Sequence, residues 1–315
     1  MNNQSKKPAI VHDYVNAFMD SRRWAQFKPR QGDIIICTPY KSGTTWTQML
    51  CALLIFQTPK LPRRLADISP WLDMQMAPAE EVLKLFDAQQ HRRIIKTHTP
   101  LDGLPYFEHA TYLFCGRDPR DVFISMQNHI KNQNLPYLFE KLRAQGINPP
   151  PRPELPDDIN ERFKLWLTKG ANPWEADGYP YWSVFSHAST FWKYRQLANL
   201  HFLHYADLKL DLLGQMKRLA KLLAINVADE LWAELVGSAS FESMKANADN
   251  IAPDTNHNAW KNNQEFFNKG ENAQWRNLLS AEMLALYETV RDERAPGEFG
   301  RWLEKGFING NIDYY

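Results

Sequence analysis

Cysteine is scarce in this sequence, with only Cys37, Cys51 and Cys115 among 315 residues. All three lie in apolar segments at wide spacing, which suits reduced core thiols better than a disulfide framework or a zinc site. Net charge is nearly absent as well. A balance of +1 argues against wholesale binding of nucleic acid or anionic membranes, although a local basic pocket is still allowed. Long apolar runs are missing: the longest, Met49 to Phe56, is far too short to span a bilayer. The opening MNNQSKKPAIVHDY carries no apolar signal core. These absences lead to the expectation of a cytoplasmic protein without an integral membrane segment.

What is present is an ordinary globular composition, 44% hydrophobic and 23% charged, enough for a sizeable core. Short apolar strands alternate with helical patterns, the signature of an α/β fold with a central parallel β-sheet flanked by helices. Strands are predicted at Ile34–Thr38, Ile94–Thr97, Tyr112–Cys115 and His201–Tyr205. Helices are predicted from Thr44 to about Gln57, where Pro59 and Pro62 end the run, and from Pro119 to about Asn132, capped by Asp118. A further amphipathic helix is predicted over Leu208–Leu223, with a mostly helical C-terminal third apart from the polar stretch Asn256 to Asn277. The prolines of GINPPPRPELPDD, residues 146–158, forbid regular structure. Because the α/β pattern resumes beyond them, they read as a loop or lid within one domain spanning 1–315.

Three constellations carry chemistry. In IIICTPYKSGTTW a strand turns through Gly43 into a helix opening on Thr44 and Thr45. Unpaired first-turn N–H groups and the helix dipole favour an anion there, with Lys41 reaching over it. The same residues also fit a plain capped helix. A Walker A loop is a poor match, since its lysine follows a second glycine that is missing. In IIKTHTP, an extended chain sends Lys96 and His98 to one face and Thr97 to the other. Strand ends are where open α/β sheets place their chemistry, and a histidine there could take a proton from a hydroxyl. In YLFCGRDPRDVFISM, Arg117 follows a strand and could fork onto a phosphate, with Ser125 about two turns into the next helix. Metal chemistry finds little support. No HExxH or CxxC occurs, His201 and His204 fall on opposite strand faces, and the carboxylates are scattered. No metal is expected.

Taken together these segments resemble the cytosolic-type sulfotransferases, especially the bacterial branch, which move a sulfonate from 3′-phosphoadenosine 5′-phosphosulfate (PAPS) to a hydroxyl or amine. The family's T-Y-P-K-S-G-T-T-W is matched by T-P-Y-K-S-G-T-T-W at Thr38–Trp46, its K-T-H by Lys96–His98, and its arginine-to-serine segment by Arg117, Asp121-Val122 and Ser125. The motifs fall in the family's order, over about residues 30–305. The resemblance implies a P-loop-like phosphosulfate-binding loop, with His98 as general base, Lys41 at the bridging oxygen of the leaving nucleotide and Lys96 on the sulfonate. It further implies N–H groups of Ser42, Gly43, Thr44 and Thr45 on the 5′-phosphate, Trp46 near adenine, and Arg117 with Ser125 on the 3′-phosphate. Tyr181 corresponds to a nucleotide-contacting tyrosine. SASFESMK resembles T-S-F-x-x-M, placing Phe241 and Met244 against adenine, with Ala239 where threonine is usual. FFNKGENAQW resembles F-x-R-K-G-x-x-G-D-W, keeping Lys269 and Gly270 but replacing the arginine by Asn268. The family's dimerisation pattern would fall on Arg276 to Ala285, where Ser280, Ala281 and Ala285 break it, so that dimer is not expected. The acceptor implied is a small molecule, with a hydrophobic one preferred. Trp71, Trp166, Trp174 and Trp182 lie in segments able to line its pocket, although tryptophans at such spacing are more often packing residues. The alternatives are a non-catalytic nucleotide-binding relative, favoured by Asn268 and Ala239, and a nucleotide-dependent kinase, which lacks its glycine-lysine pair and metal carboxylates.

Overall fold

Four strands, β1 (Ile34–Cys37), β2 (Ile94–Thr97), β3 (Thr111–Gly116) and β4 (Leu200–His204), pair in the order β2-β1-β3-β4. All pairings are parallel. Ile34 lies beside both Ile94 and Thr111, and Tyr112 lies beside Leu200. The computed structural model describes residues 7–253 and 258–314, so the first six residues of the opening segment and the start of the polar stretch at Asn256 lie outside them.

Every residue of β1 and β2 is buried, as expected of a parallel sheet covered on both faces. Successive side chains alternate between two cores. Ile35, Cys37, Tyr112, Phe114 and Phe202 face one, against Phe191 and Trp302. Ile34, Ile36, Leu113, Cys115 and Leu203 face the other, against Leu50, Leu53 and Met216. All three cysteines are buried and free. One sheet shared by both cores makes a single α/β domain.

The Thr44–Phe56 helix and the Pro119–Asn132 helix have the predicted bounds, the second capped by Asp118 accepting from the Arg120 N–H. β1 stops one residue short of the predicted Thr38, β3 extends one residue past each predicted end, and two further predictions need correction. The fourth strand begins and ends one residue earlier, because Tyr205 already opens a helix, Tyr205–Leu210. The single helix predicted over Leu208–Leu223 is two, broken at Asp211, whose carboxylate turns back to cap Gly214 N–H at the start of Leu212–Leu222. An aspartate at that point gains more as a cap than as a helix interior residue. The 146–158 segment has no regular structure until Asp158 caps the Ile159–Thr168 helix.

After β1 the chain moves to β2 on one side, and after β3 it moves to β4 on the other. The crevice at the carboxyl ends of β1 and β3 is therefore a topological switch point, where ligands of open α/β sheets bind. The loop at Lys41 and the turn at Arg117 flank it, and His98 follows the neighbouring β2.

Candidate active site

Gly43 takes φ +98 and is the N-cap of the Thr44–Phe56 helix without a side-chain capping bond. A Cβ here would meet Tyr205 at 3.2 Å and Cys115 at 3.3 Å, so the left-handed turn and the tight fit both select glycine. The Thr44 hydroxyl is tied to the Thr38 hydroxyl at 2.5 Å. The first intrahelical bond joins Thr47 N–H to the Gly43 carbonyl at 2.9 Å, which leaves the earlier first-turn donors for an anion. Lys41 also sits in the left-handed region, at φ +62. Its ammonium reaches His129 Nδ1 at 3.4 Å and lies over the Phe266 ring. Burial first, then Arg117 and Lys96, lowers its pKa to about 7.

At the end of β2, Lys96 and His98 both line the cavity, whereas the Thr97 hydroxyl turns away to Asp73. His98 Nδ1 lies 2.8 Å from the Thr38 carbonyl oxygen. A carbonyl can only accept, so Nδ1 carries the proton and Nε2 the free lone pair. Burial, followed by the Lys96 charge, holds the His98 pKa well below the usual imidazole range. The ring is neutral at pH 7, as a proton acceptor must be. Lys96 rests over the Trp71 ring at 4.4 Å, and burial lowers its pKa to about 8.

Past β3, Arg117 donates to the carbonyls of Lys41 (3.0 Å) and Glu271 (3.3 Å) and stacks over Tyr205. Its Nε is buried without a partner, as is the Ser42 hydroxyl. Among the described residues, Lys41, Lys96 and Arg117 form no ion pair with a carboxylate. Three cations, Lys96 and Arg117 buried and Lys41 half-buried, without ion-pair partners among the described residues and beside orphaned donors and an open helix N-terminus, fit a ligand bearing phosphate or sulfate.

The opposite wall comes from residues 241–274. Trp46 donates from Nε1 to the Ala239 carbonyl at 2.8 Å; because the acceptor is backbone, alanine serves where threonine was expected. Phe241, Met244, Asn268 and Gly270 line the cavity, as do Trp46, Ser125 and Tyr181. Lys269 is exposed and lies outside the lining. The next residue, Gly270, takes φ +66, and a Cβ there would run into the Phe241 ring. Among the described residues of this stretch, no lysine or arginine lines the cavity in place of the missing arginine. Instead its backbone is pinned: Lys245 donates to the Asn268 carbonyl at 3.0 Å, and the Asp121 carboxylate accepts from Ala273 and Gln274 N–H.

These groups surround one cavity of about 640 Å³. Its second arm is apolar, with Phe18, Met74, Met76, Val82 and Leu85 beside Trp71 and Trp182. Trp166 is instead packed with Phe123 and Phe163, and Trp174 stacks on His12 at the surface. Pro149 to Pro153 of the proline-rich segment also line the cavity. Sequence reasoning missed His129, which is one turn beyond Ser125 and carried no motif. It also missed Tyr40, whose ring is 4.2 Å from that of His98, and Asp73, which accepts from the Thr97 hydroxyl behind the strand end. The i, i+4 spacing from Ser125 was the one available signal for His129.

Residues 31–297 match the family described as "Sulfotransferase domain". The chain is 37% identical over 308 residues to a glycolipid sulfotransferase of Mycobacterium bovis (strain BCG / Pasteur 1173P2), covering 93% of this chain and 94% of that protein. It is 25% identical over 287 residues to sulfotransferase 1E1 of Bos taurus, covering 86% of each. Among solved structures it resembles mouse sulfotransferase SULT7A1 complexed with PAP, with a TM-score of 0.69 at 21% identity over 93% of this chain and 96% of that one. Retinol dehydratase, in a complex with retinol and PAP, gives a TM-score of 0.66 at 20% identity over 87% and 84%. The two structural likenesses show a shared fold.

Proposed function

Because this chain belongs to the sulfotransferase domain family and is a sulfotransferase, we propose that it takes its sulfonate from PAPS and passes it to a hydroxyl or amine of a small apolar acceptor, with His98 as the base. The observation that carries this reading is the convergence of Lys41, Lys96 and Arg117, without carboxylate partners, on the cavity that holds the free Nε2 of neutral His98. When bound, PAPS supplies a sulfonate on a phosphate leaving group.

The first-turn N–H groups behind Gly43 hold the 5′-phosphate, and Arg117 with Ser125 grips the 3′-phosphate. Trp46, Phe241 and Met244 flank the adenine, and Tyr181 and Gly270 contact the nucleotide. His98 Nε2 would accept the proton of the acceptor's hydroxyl or amine, Lys41 would hold the bridging oxygen of the nucleotide and steady its charge as the leaving group, and Lys96 would neutralise the sulfonate oxygens. Fixed cations in a water-poor cavity stabilise such charge far better than solvent does. The apolar arm at Met74, Met76 and Leu85 supports an acceptor with a hydrocarbon portion. The name of the mycobacterial relatives, glycolipid sulfotransferases, points the same way. Residues 146–158 serve as a lid, supported by the prolines that line the cavity, and the whole chain acts as one domain. A cytoplasmic location, supported by three free buried thiols, belongs to the same proposal.

Labelled PAPS incubated with the protein and a panel of phenols, alcohols and glycolipids tests it, with and without added metal. Transfer that is lost in His98→Ala is expected. No transfer to any acceptor, or transfer undiminished in His98→Ala, overturns the reading.

A further inference from the structure

Asp73 belongs to no recognised motif, yet it sits directly behind the strand end that carries Lys96 and His98. It is completely buried. Its Oδ2 accepts from Trp24 Nε1 at 3.0 Å, from the Thr97 hydroxyl at 2.5 Å and from the Thr99 hydroxyl at 2.6 Å. Its Oδ1 accepts from Trp71 Nε1. Burial raises the Asp73 pKa, and the four donors, two of them indole N–H groups that can only donate, oppose that shift by solvating the ionised form. Among the described residues it makes no ion pair, so its negative charge is left to act through its neighbours.

Two of those neighbours lead to the cavity. The Trp71 indole donates its N–H to Asp73 and presents its ring to the Lys96 ammonium at 4.4 Å. A carboxylate pulling on the indole N–H makes the ring face more negative, and a desolvated ammonium over that face is held more tightly. The same 70–73 segment runs along the open edge of β2, with Lys96 N–H donating to the Pro70 carbonyl and Leu72 N–H to the Lys96 carbonyl. Meanwhile Thr97 and Thr99, either side of His98, are both fastened to Asp73 Oδ2.

We propose that Asp73 is a positioning residue for sulfonate transfer: through Trp71 it keeps Lys96 charged over the cavity, and through Thr97 and Thr99 it fixes the turn that aims His98. The part concerning catalysis rests on the function proposed above; the part concerning the Lys96 charge does not. Of the titratable groups facing Lys96, Lys41 after β1 opposes its charge, whereas His98 on its own strand end and His129 from the Pro119–Asn132 helix are held neutral. Facing Asp73 are Arg23, Tyr40 and Cys37. Burial pulls Lys96 down to about 8 while Asp73 pushes it up.

The direct test is an NMR titration of labelled lysine side chains, with the Lys96 signal assigned by Lys96→Arg. In Asp73→Asn the Lys96 midpoint is expected to fall by about one unit, tenfold in proton affinity. In Trp71→Phe, which keeps a ring under the ammonium but cuts the link to Asp73, a smaller fall in the same direction is expected. Trp71→Phe carries the test alone should Asp73→Asn fail to fold. A Lys96 midpoint unmoved in the variant that folds overturns the proposal. The kinetic arm follows the alkaline limb of kcat/KM, expected to move to lower pH in Asp73→Asn and to be restored by adding Lys96→Arg, which is always charged. Failure of the wild-type protein to transfer sulfonate would refute the proposed function while the lysine titration still decides the Asp73 relation.

Discussion

The Lys41 ammonium reaches the Nδ1 of His129 at 3.4 Å, across 88 residues of sequence. An ammonium can only donate, so Nδ1 is the acceptor and the His129 proton sits on Nε2. Both groups are depressed by burial, Lys41 to about 7 and His129 well below its usual range. Two of the cavity's cations, Lys41 and Lys96, thus lose their charge from neutrality upward, while Arg117 keeps its own.

Affinity for 3′,5′-adenosine bisphosphate should fall as pH rises from 7 to 9, because Lys41 and Lys96 give up the protons that attract it. Lys41→Arg should flatten the lower part of that curve, measured by calorimetry. Stability without ligand should move the opposite way. Both folded-state pKa values lie below the ordinary lysine value, so the folded protein binds fewer protons than the unfolded chain above pH 7. Stability then rises with pH through that window, as thermal melts between pH 7.5 and 9 would register. A nucleotide affinity that climbs with pH contradicts the assignment of these lysines.

Replacing His98 by alanine should lower kcat by roughly 10²–10⁴-fold, the usual share of a positioned base. Nucleotide affinity should change only a few-fold, since the ring is held by the Thr38 carbonyl rather than by the phosphate loop's donors. Single-turnover rates and nucleotide titrations separate the two.

Gly43→Ala forces a side chain into φ +98 against Tyr205 and Cys115. A left-handed non-glycine residue costs about 1–2 kcal/mol, and the displaced loop should weaken nucleotide binding further. Denaturant unfolding with and without adenosine bisphosphate reads both effects; a variant as stable and as tight as wild type refutes the cradle.

Asn268 lines the cavity at the position of the family's arginine. Asn268→Arg should tighten adenosine bisphosphate several-fold and leave adenosine 5′-monophosphate unchanged, since only the former carries a 3′-phosphate for a new guanidinium to fork onto. Equal gains for both nucleotides would place the side chain elsewhere.

Arg152 stands on the proline-rich segment, lines the cavity and donates to Gln133 Oε1. If residues 146–158 act as a lid over the acceptor, Arg152→Ala should raise the acceptor KM and spare nucleotide affinity. A selective loss of nucleotide binding would assign the segment to the donor instead.

Much of the scaffold was legible because it rests on local signals. Continuous apolar runs mark strands buried on both faces, and Asp118-Pro119 marks a helix start. Gly43 announced its turn for the same reason. The break at Asp211 was hidden because the apolar spacing runs on through it, and only the cap to Gly214 shows which pattern wins. Lys269 looked like a ligand from its motif, but it is exposed and outside the cavity lining, and a motif does not say which way its side chain faces. His129 and Asp73 were illegible for a different reason. Their partners, Lys41 and the Thr97–Thr99 turn, lie 88 and 24–26 residues away, and no single-sequence period encodes such a meeting.

The bond from His98 to the Thr38 carbonyl has a consequence for how this protein can vary. Its acceptor is a peptide oxygen, so no substitution at position 38 removes it. The imidazole's tie to Thr38 is inherited from the course of the main chain, out of reach of any change of side chain at position 38 itself. Selection for new acceptors can therefore rework the apolar arm freely, while the reacting nitrogen keeps its bearing until the path of the phosphate loop itself is redrawn.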